Sequence, residues 1–136
     1  MTPLGLRINN PANIRFVSSN HWQGQVGQYK GFCKFKTFAF GVRALLYLIR
    51  KYRYTYGLKS VEQIIKRFAP ENENDTESYI TFVASRIGCP RDLPLYLDFY
   101  SKSPLNQLFY LASAIIKQET GRELEFHEFL DGLKLL

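Results

Sequence analysis

The sequence predicts a mainly α-helical α+β domain, with about five helices and a small β element. Three observations carry that prediction. From residue 37 onward, apolar residues recur at helical spacing in successive segments. Most of those segments open on a capping residue and close on Gly or Pro. The first 36 residues lack this period and are punctuated by Gly5, Pro11, Gly24, Gly27 and Gly31. At 136 residues the chain suits one domain, taken as 1–136.

In the N-terminal part, Ile14–Val17 and Gly31–Phe35 are the expected extended pieces, with Phe32 and Phe35 packing inward. Thr37 is expected to cap a helix reaching Tyr54, with Phe38, Val42, Leu45, Leu46 and Ile49 on its apolar stripe. Gly57 ends that segment. Ser60 opens a second helix with Gln63 three residues later, a capping-box arrangement. Pro70 stops it, because the residue before a proline is pushed out of the helical region. After the loop at 70–75, Asp75 or Thr76 caps a third helix carrying Tyr79, Ile80, Val83, Ala84 and Ile87, which ends at Gly88. Ser103 and Pro104 are expected to open a fourth helix reaching Gly121. A short fifth runs from near Glu125 to Leu136.

Composition narrows the function classes. No run of 18 apolar residues is present, so no transmembrane helix is expected. The first residues hold no signal-peptide core, so a protein made in the cytoplasm and carried outward by other means is expected. Cys33 and Cys89 form no metal-type spacing with His21 or His127. Free thiols, no metal and no cofactor are expected. The net charge of +6 favours a polyanion, either nucleic acid or the anionic cell envelope. The basic residues are scattered and no nucleic-acid motif is present, so nucleic acid ranks low. A monomer is expected.

The sharpest feature lies in the fourth helix. At about 100° per residue, Leu105, Leu108, Ala112 and Ile115 share one face, and Glu119 lies roughly 20° from Leu108 and Ala112. An apolar stripe therefore ends in a carboxyl group. Burial and the negative end of the helix dipole both favour its protonated form there. A protonated carboxyl near neutral pH is the general acid that glycoside cleavage needs. The plain alternative is an exposed Glu in a frayed last turn.

Several strings strengthen the first reading. AIIKQETG, Ala114–Gly121, resembles the catalytic helix of lytic transglycosylases and goose-type lysozymes, with Thr120 where Ser is usual. GLRINNPANIR, Gly5–Arg15, resembles the N-N-P-G-N-I-R segment of phage and prophage lysozyme-like lysins, with Ala12 in place of Gly. His21, Trp22, Gln23 and Gly24 fit that family's W-Q-G. The stretch Phe32–Ile49 fits its F-x-x-F then G-x-R-A, and Ile64–Ile80 fits its R-[WF]-A-P-x-x-E-N-D-T-x-x-Y. The resemblance covers most of residues 5–121. In conventional transglycosylases the catalytic helix comes first. Here it comes late, so the resemblance implies a circularly permuted lysozyme-like fold.

That resemblance implies a peptidoglycan-degrading glycosidase acting on the MurNAc-GlcNAc strand, with Glu119 as catalytic acid and then base. It places Glu73 along the cleft as a second catalytic candidate, with Asp75 as the other possibility. A hydrolase needs a second carboxylate. A lytic transglycosylase, by resemblance, uses the substrate's own N-acetyl group. Asn9, Asn10 and Asn74 become candidates for binding substrate or holding the site's loops. Asn9, Asn10 and Asn13 are equally good turn formers. Trp22 is either a sugar-stacking platform or core, and Tyr79 either bonds the acid or the sugar or packs inside. Two alternatives stay open. One is a non-catalytic virion or wall-binding module. The other is a peptide-crosslink endopeptidase, which the absence of zinc-ligand or Cys-His spacing ranks lower.

Overall fold

The computed structural model describes residues 1–100, 103 and 105–136. Among them lie six helices and one two-stranded antiparallel sheet. The order is α1 (Leu4–Arg7), β1 (Gln25–Tyr29), β2 (Phe32–Phe35), α2 (Phe38–Tyr54), α3 (Val61–Phe68), α4 (Thr76–Ile87), α5 (Leu108–Thr120) and α6 (Phe126–Lys134). The helix-rich α+β expectation holds.

The helix ends follow their capping residues. Thr37 Oγ1 accepts from the Phe40 amide at 3.3 Å. Ser60 and Gln63 make the reciprocal capping box, with both bonds at 3.3 Å. Asp75 accepts from the Ser78 amide and hydroxyl at 3.2 and 2.9 Å. That bond identifies Asp75 as the cap of α4. Each such bond satisfies an amide the helix itself leaves unpaired.

The fourth predicted helix starts late. It begins at Leu108, not Ser103, and Pro104 lies outside the described residues. Asn106 explains the shift. Its Oδ1 accepts from the Leu108 and Asp98 amides at 3.1 and 3.0 Å, and its Nδ2 donates to the Asp98 carbonyl at 2.6 Å. A side chain that bonds nearby backbone in this way competes with the helix. Leu105, expected on the apolar stripe, is 76% exposed.

The N-terminal part also departs from expectation. The short helix α1 has no counterpart in the sequence reading. β1 lies in a stretch read as loop, because only Gln25 is buried in it and no apolar alternation marks it. Lys30 and Gly31, both at positive φ, close the two-residue hairpin between β1 and β2. Ile14–Val17 is not a strand. It lies along β2 through two backbone bonds, Cys33 amide to Ile14 carbonyl and Phe16 amide to Gly31 carbonyl.

The core joins both parts. Leu45, Ile49, Ile64, Val83, Leu108 and Ile115, all predicted to be enclosed, are at most 1% exposed. Helix α2 packs against α3 and α6, and α5 against α4 and α1. One close approach ties the N-terminal segment to α2. A methyl at Gly41 would land on the Asn9 carbonyl oxygen and come within 2.7 Å of Pro11. No described helix is long and apolar enough to cross a membrane.

Candidate functional site

Glu119 sits in the last turn of α5, one residue before Thr120 closes the helix onto Gly121. Thr120 turns inward and bonds the Ile116 carbonyl, while Gly121 takes a left-handed conformation, φ 75°. The stripe of Leu108, Ala112 and Ile115 is fully buried. Glu119, continuing that face, is half-buried. It emerges where the stripe reaches a groove.

Two side chains grip its carboxyl group from opposite parts of the chain. Asn13 Nδ2 donates to Oε1 at 2.8 Å. Tyr79 Oη donates to Oε2 at 2.8 Å. Tyr79 is 3% exposed, and its ring meets Phe68 edge-on at 6.4 Å. Burial first, then the Glu119 charge, pushes the Tyr79 hydroxyl far above the ordinary phenol range. It therefore keeps its proton. A phenol can also turn to accept, so this contact can serve either protonation state of the carboxyl.

Asn13 reaches Glu119 through local backbone geometry. It holds φ 51°, a left-handed conformation that Asn tolerates better than most residues. Gly5 in α1 makes the space. A Cβ there would stand 2.6 Å from Asn13 Oδ1 and 2.6 Å from the Asn10 carbonyl oxygen.

Glu119, Asn13 and their neighbours line a groove of about 320 Å³. One wall is the segment Ala12–Arg15 with Phe32. The other is Leu48 and Tyr52 of α2, Phe68 of α3, and Ala69, Glu73 and Asn74 of the following loop. Glu73 lies across from Arg15, whose Nε is 3.5 Å from its Oε2, and both are largely exposed. Asn74 donates to the Pro70 carbonyl at 3.3 Å, bracing the loop. The groove thus combines a held carboxyl group, a second carboxylate and apolar side chains such as Ile14, Phe32, Leu48 and Phe68.

The structure separates the predicted site residues. Glu119, Glu73 and Asn74 line one groove, with Tyr79 behind Glu119. Asn9 and Asn10, expected beside Glu119, are not its partners. Asn10 is fully buried and bonds the Ile14 and Cys33 carbonyls and the Ile14 amide. It has no atom left for a ligand. Asn9 donates to the Phe35 carbonyl at 3.2 Å. Both lock the N-terminal segment onto β2. Trp22 is 8% exposed and packs edge-on against Tyr47, away from the Glu119 groove. Asp75 is spent as a helix cap.

Sequence reasoning treated Asn13 only as a turn former and passed over Tyr52. Tyr52 was findable, because it continues the i, i+4, i+7 spacing of Leu45 and Ile49. Asn13 was not, since three Asn residues within five positions look alike without their contacts. Cys33 and Cys89 are free, and burial raises both thiols above their ordinary range.

No protein-family profile matches the chain. It is 42% identical over 121 residues to Protein P5 of Pseudoalteromonas phage PM2, an alignment spanning 86% of this chain and 71% of that protein. The chain belongs to the family of that phage protein.

Proposed function

We propose that this member of the Protein P5 family cleaves the glycan strand of bacterial peptidoglycan, with Glu119 protonating the glycosidic oxygen. The observation that carries the reading is the position of Glu119. It ends a buried apolar stripe in the open groove, gripped at both oxygens by Tyr79 and Asn13. The Asn13 amide and the Tyr79 hydroxyl, which can turn to accept when the carboxyl is protonated, orient the group for proton transfer, which is what general acid catalysis requires. The motif strings of the sequence support the same reading, because their residues meet here: Asn13 and Arg15 from Gly5–Arg15, Glu73, Asn74 and Tyr79 from Ile64–Ile80, Glu119 from Ala114–Gly121.

The reading carries a topology with it. The hairpin and the groove-lining loop precede α5 in the chain. We read this order as a lysozyme-like fold opened after its catalytic helix, with the catalytic groove reassembled from the same parts. Chain termini lie at surfaces, and such permutation is tolerated where backbone contacts are few.

The chemistry then divides on Glu73. In transglycosylation Glu119 donates its proton to the leaving oxygen, then takes one from the muramic 6-hydroxyl. That oxygen closes on C1 to give a 1,6-anhydro end. In hydrolysis a second carboxylate either activates water or forms a glycosyl-enzyme intermediate. Glu73, which lines the same groove, is the candidate for that role.

Mass spectrometry of purified sacculi after digestion tests all of this. The wild-type protein is expected to release anhydro or reducing ends, and Glu119→Gln is expected to lose about 100- to 10,000-fold in rate with its fold intact. Glu73→Gln is expected to be mild if ends are anhydro and nearly as severe if they are reducing. Full activity in Glu119→Gln defeats the acid assignment. Sacculi left intact by the wild type favour a binding module instead.

A further inference from the structure

A second groove, of about 390 Å³, opens beside the first. His21, Trp22, Arg43, Tyr47, Leu48 and Lys51 line it. Leu48 also lines the Glu119 groove, so the two meet over that one side chain.

The new groove is a cationic site on an aromatic base. Helix α2 carries Arg43, Arg50, Lys51 and Arg53 and not one acidic residue. Among the described residues none of these four cations pairs with a carboxylate. Elsewhere the arrangement is different: Arg86, Arg91 and Arg122 each pair with a Glu within 2.8 Å. The guanidinium carbons of Arg43 and Arg50 lie 5.3 and 5.5 Å from the Tyr47 ring centre, on which Trp22 also packs. The ring holds the cations but does not neutralise them.

Arg43 is the least satisfied of them. Its Nε is buried and meets no hydrogen-bond acceptor among the described residues. Burial first, and then the charge of Arg50, lowers its pKa from the ordinary guanidinium value. A partly buried guanidinium that is not paired with a carboxylate among the described residues carries a desolvation cost that a bound anion offsets.

We propose that this groove binds an acidic peptide borne by the glycan strand whose backbone lies in the Glu119 groove. The inference rests on the glycan-cleavage reading and names the substrate more narrowly: strands carrying peptide carboxylates, not bare strands. The sugar backbone itself is neutral, so the negative charge close to the cut lies on its peptide carboxylates. Arg43 and Lys51 stand one side chain, Leu48, from the groove where the cut is made. A fork of guanidinium donors suits a carboxylate, and the exposed Lys51 adds a mobile second charge.

The test uses the full chain on two purified substrates: glycan strands with their acidic peptides, and the same strands with the peptide carboxylates converted to neutral amides. The wild type is expected to show a KM about tenfold lower on the strands with acidic peptides, an order-of-magnitude expectation for one desolvated charge-assisted contact. Lys51→Glu, on an exposed side chain, and Arg43→Gln are each expected to shrink that ratio to about threefold or less. Circular dichroism checks that both variants are folded. Equal wild-type KM on the two substrates overturns the inference and leaves the glycan-cleavage reading intact. So does a ratio that survives in both variants. A short oligonucleotide that inhibits as well as the free acidic peptide also overturns it, because the groove is then a general polyanion surface. No cleavage of either substrate sinks both readings together.

Discussion

The two donors that hold Glu119 come from regions built on different principles. Tyr79 stands on α4, a capped helix whose inner face is buried against α3 and α5. Asn13 stands in a segment with one four-residue helix and little regular structure. That segment keeps its shape through side-chain bonds to backbone, from Asn9, Asn10 and Gln25, and through glycines at close approaches. The helical wall of the groove is held by apolar burial, which is spread over many residues and tolerant of small change. The N-terminal wall buries Ala12, Ile14, Cys33 and Phe35 in the same core and adds polar contacts from side chain to backbone where regular structure is short.

The largest expected effect comes from the seam between them. Gly41→Ala puts a methyl onto the Asn9 carbonyl and against Pro11. On an unconstrained helix that change would stabilise by up to about 1 kcal/mol. Here overpacking against backbone is expected to cost about 3 kcal/mol instead, read as a lower urea midpoint. Hydrogen exchange is expected to speed up in residues 5–36 while α4 and α5 stay protected. A gain in stability, or loosening spread evenly over the chain, would show that the two regions are one cooperative unit with no weak seam.

Removing the donors separately sharpens the comparison. Tyr79→Phe leaves a part-buried carboxyl oxygen without its partner in a place water reaches poorly. A cost of about 1–2 kcal/mol is expected. Asn13→Ala removes a donor at the groove edge, where water can replace it, and about 1 kcal/mol or less is expected. Urea denaturation gives the order. If Asn13→Ala proves costlier, the N-terminal segment depends on Glu119 more than Glu119 depends on it.

The smallest effect belongs to the rim of the helical body. Arg122 binds Glu128 through two bonds, at 2.9 and 2.6 Å, and Glu128 also accepts from the Glu125 amide at the start of α6. The Arg122 bond lowers the Glu128 pKa from the ordinary carboxylate value. A folded-state value below the unfolded one means that the stabilisation is fully present above the usual carboxylate range. It is lost as pH falls through the lowered value. With Arg122 about a third exposed and Glu128 less so, solvent screening leaves about 1 kcal/mol or less. Thermal melts of Arg122→Gln and wild type should differ at neutral pH and converge in acid. A difference that persists in acid assigns the role of Arg122 to its packing over Phe38, 4.7 Å from the ring centre.

The same contrast explains what was readable beforehand. In the helical body the period of apolar residues and the caps at Thr37, Ser60 and Asp75 are local signals, and each element formed where they pointed. The exception is the start of α5, where Asn106 bonds back to Asp98 across eight residues. In the N-terminal segment β1 exposes nearly every side chain, so it left no pattern to read.

By itself the sequence determined the helix-rich α+β class, the ends of α2, α3 and α4 and the placing of Glu119 at the end of an apolar stripe. All of these follow from backbone period and from contacts within a turn or two. Only the tertiary structure decided that Asn13, not Asn9 or Asn10, meets Glu119, that Asp75 is a cap while Glu73 faces the groove, and that Trp22 belongs to a second groove beside the first. The bonds to Glu119 join residues 106 and 40 positions apart in the chain. No local pattern encodes such pairs, because they depend on which buried faces meet when the helices pack and on how closely a glycine lets two backbones approach.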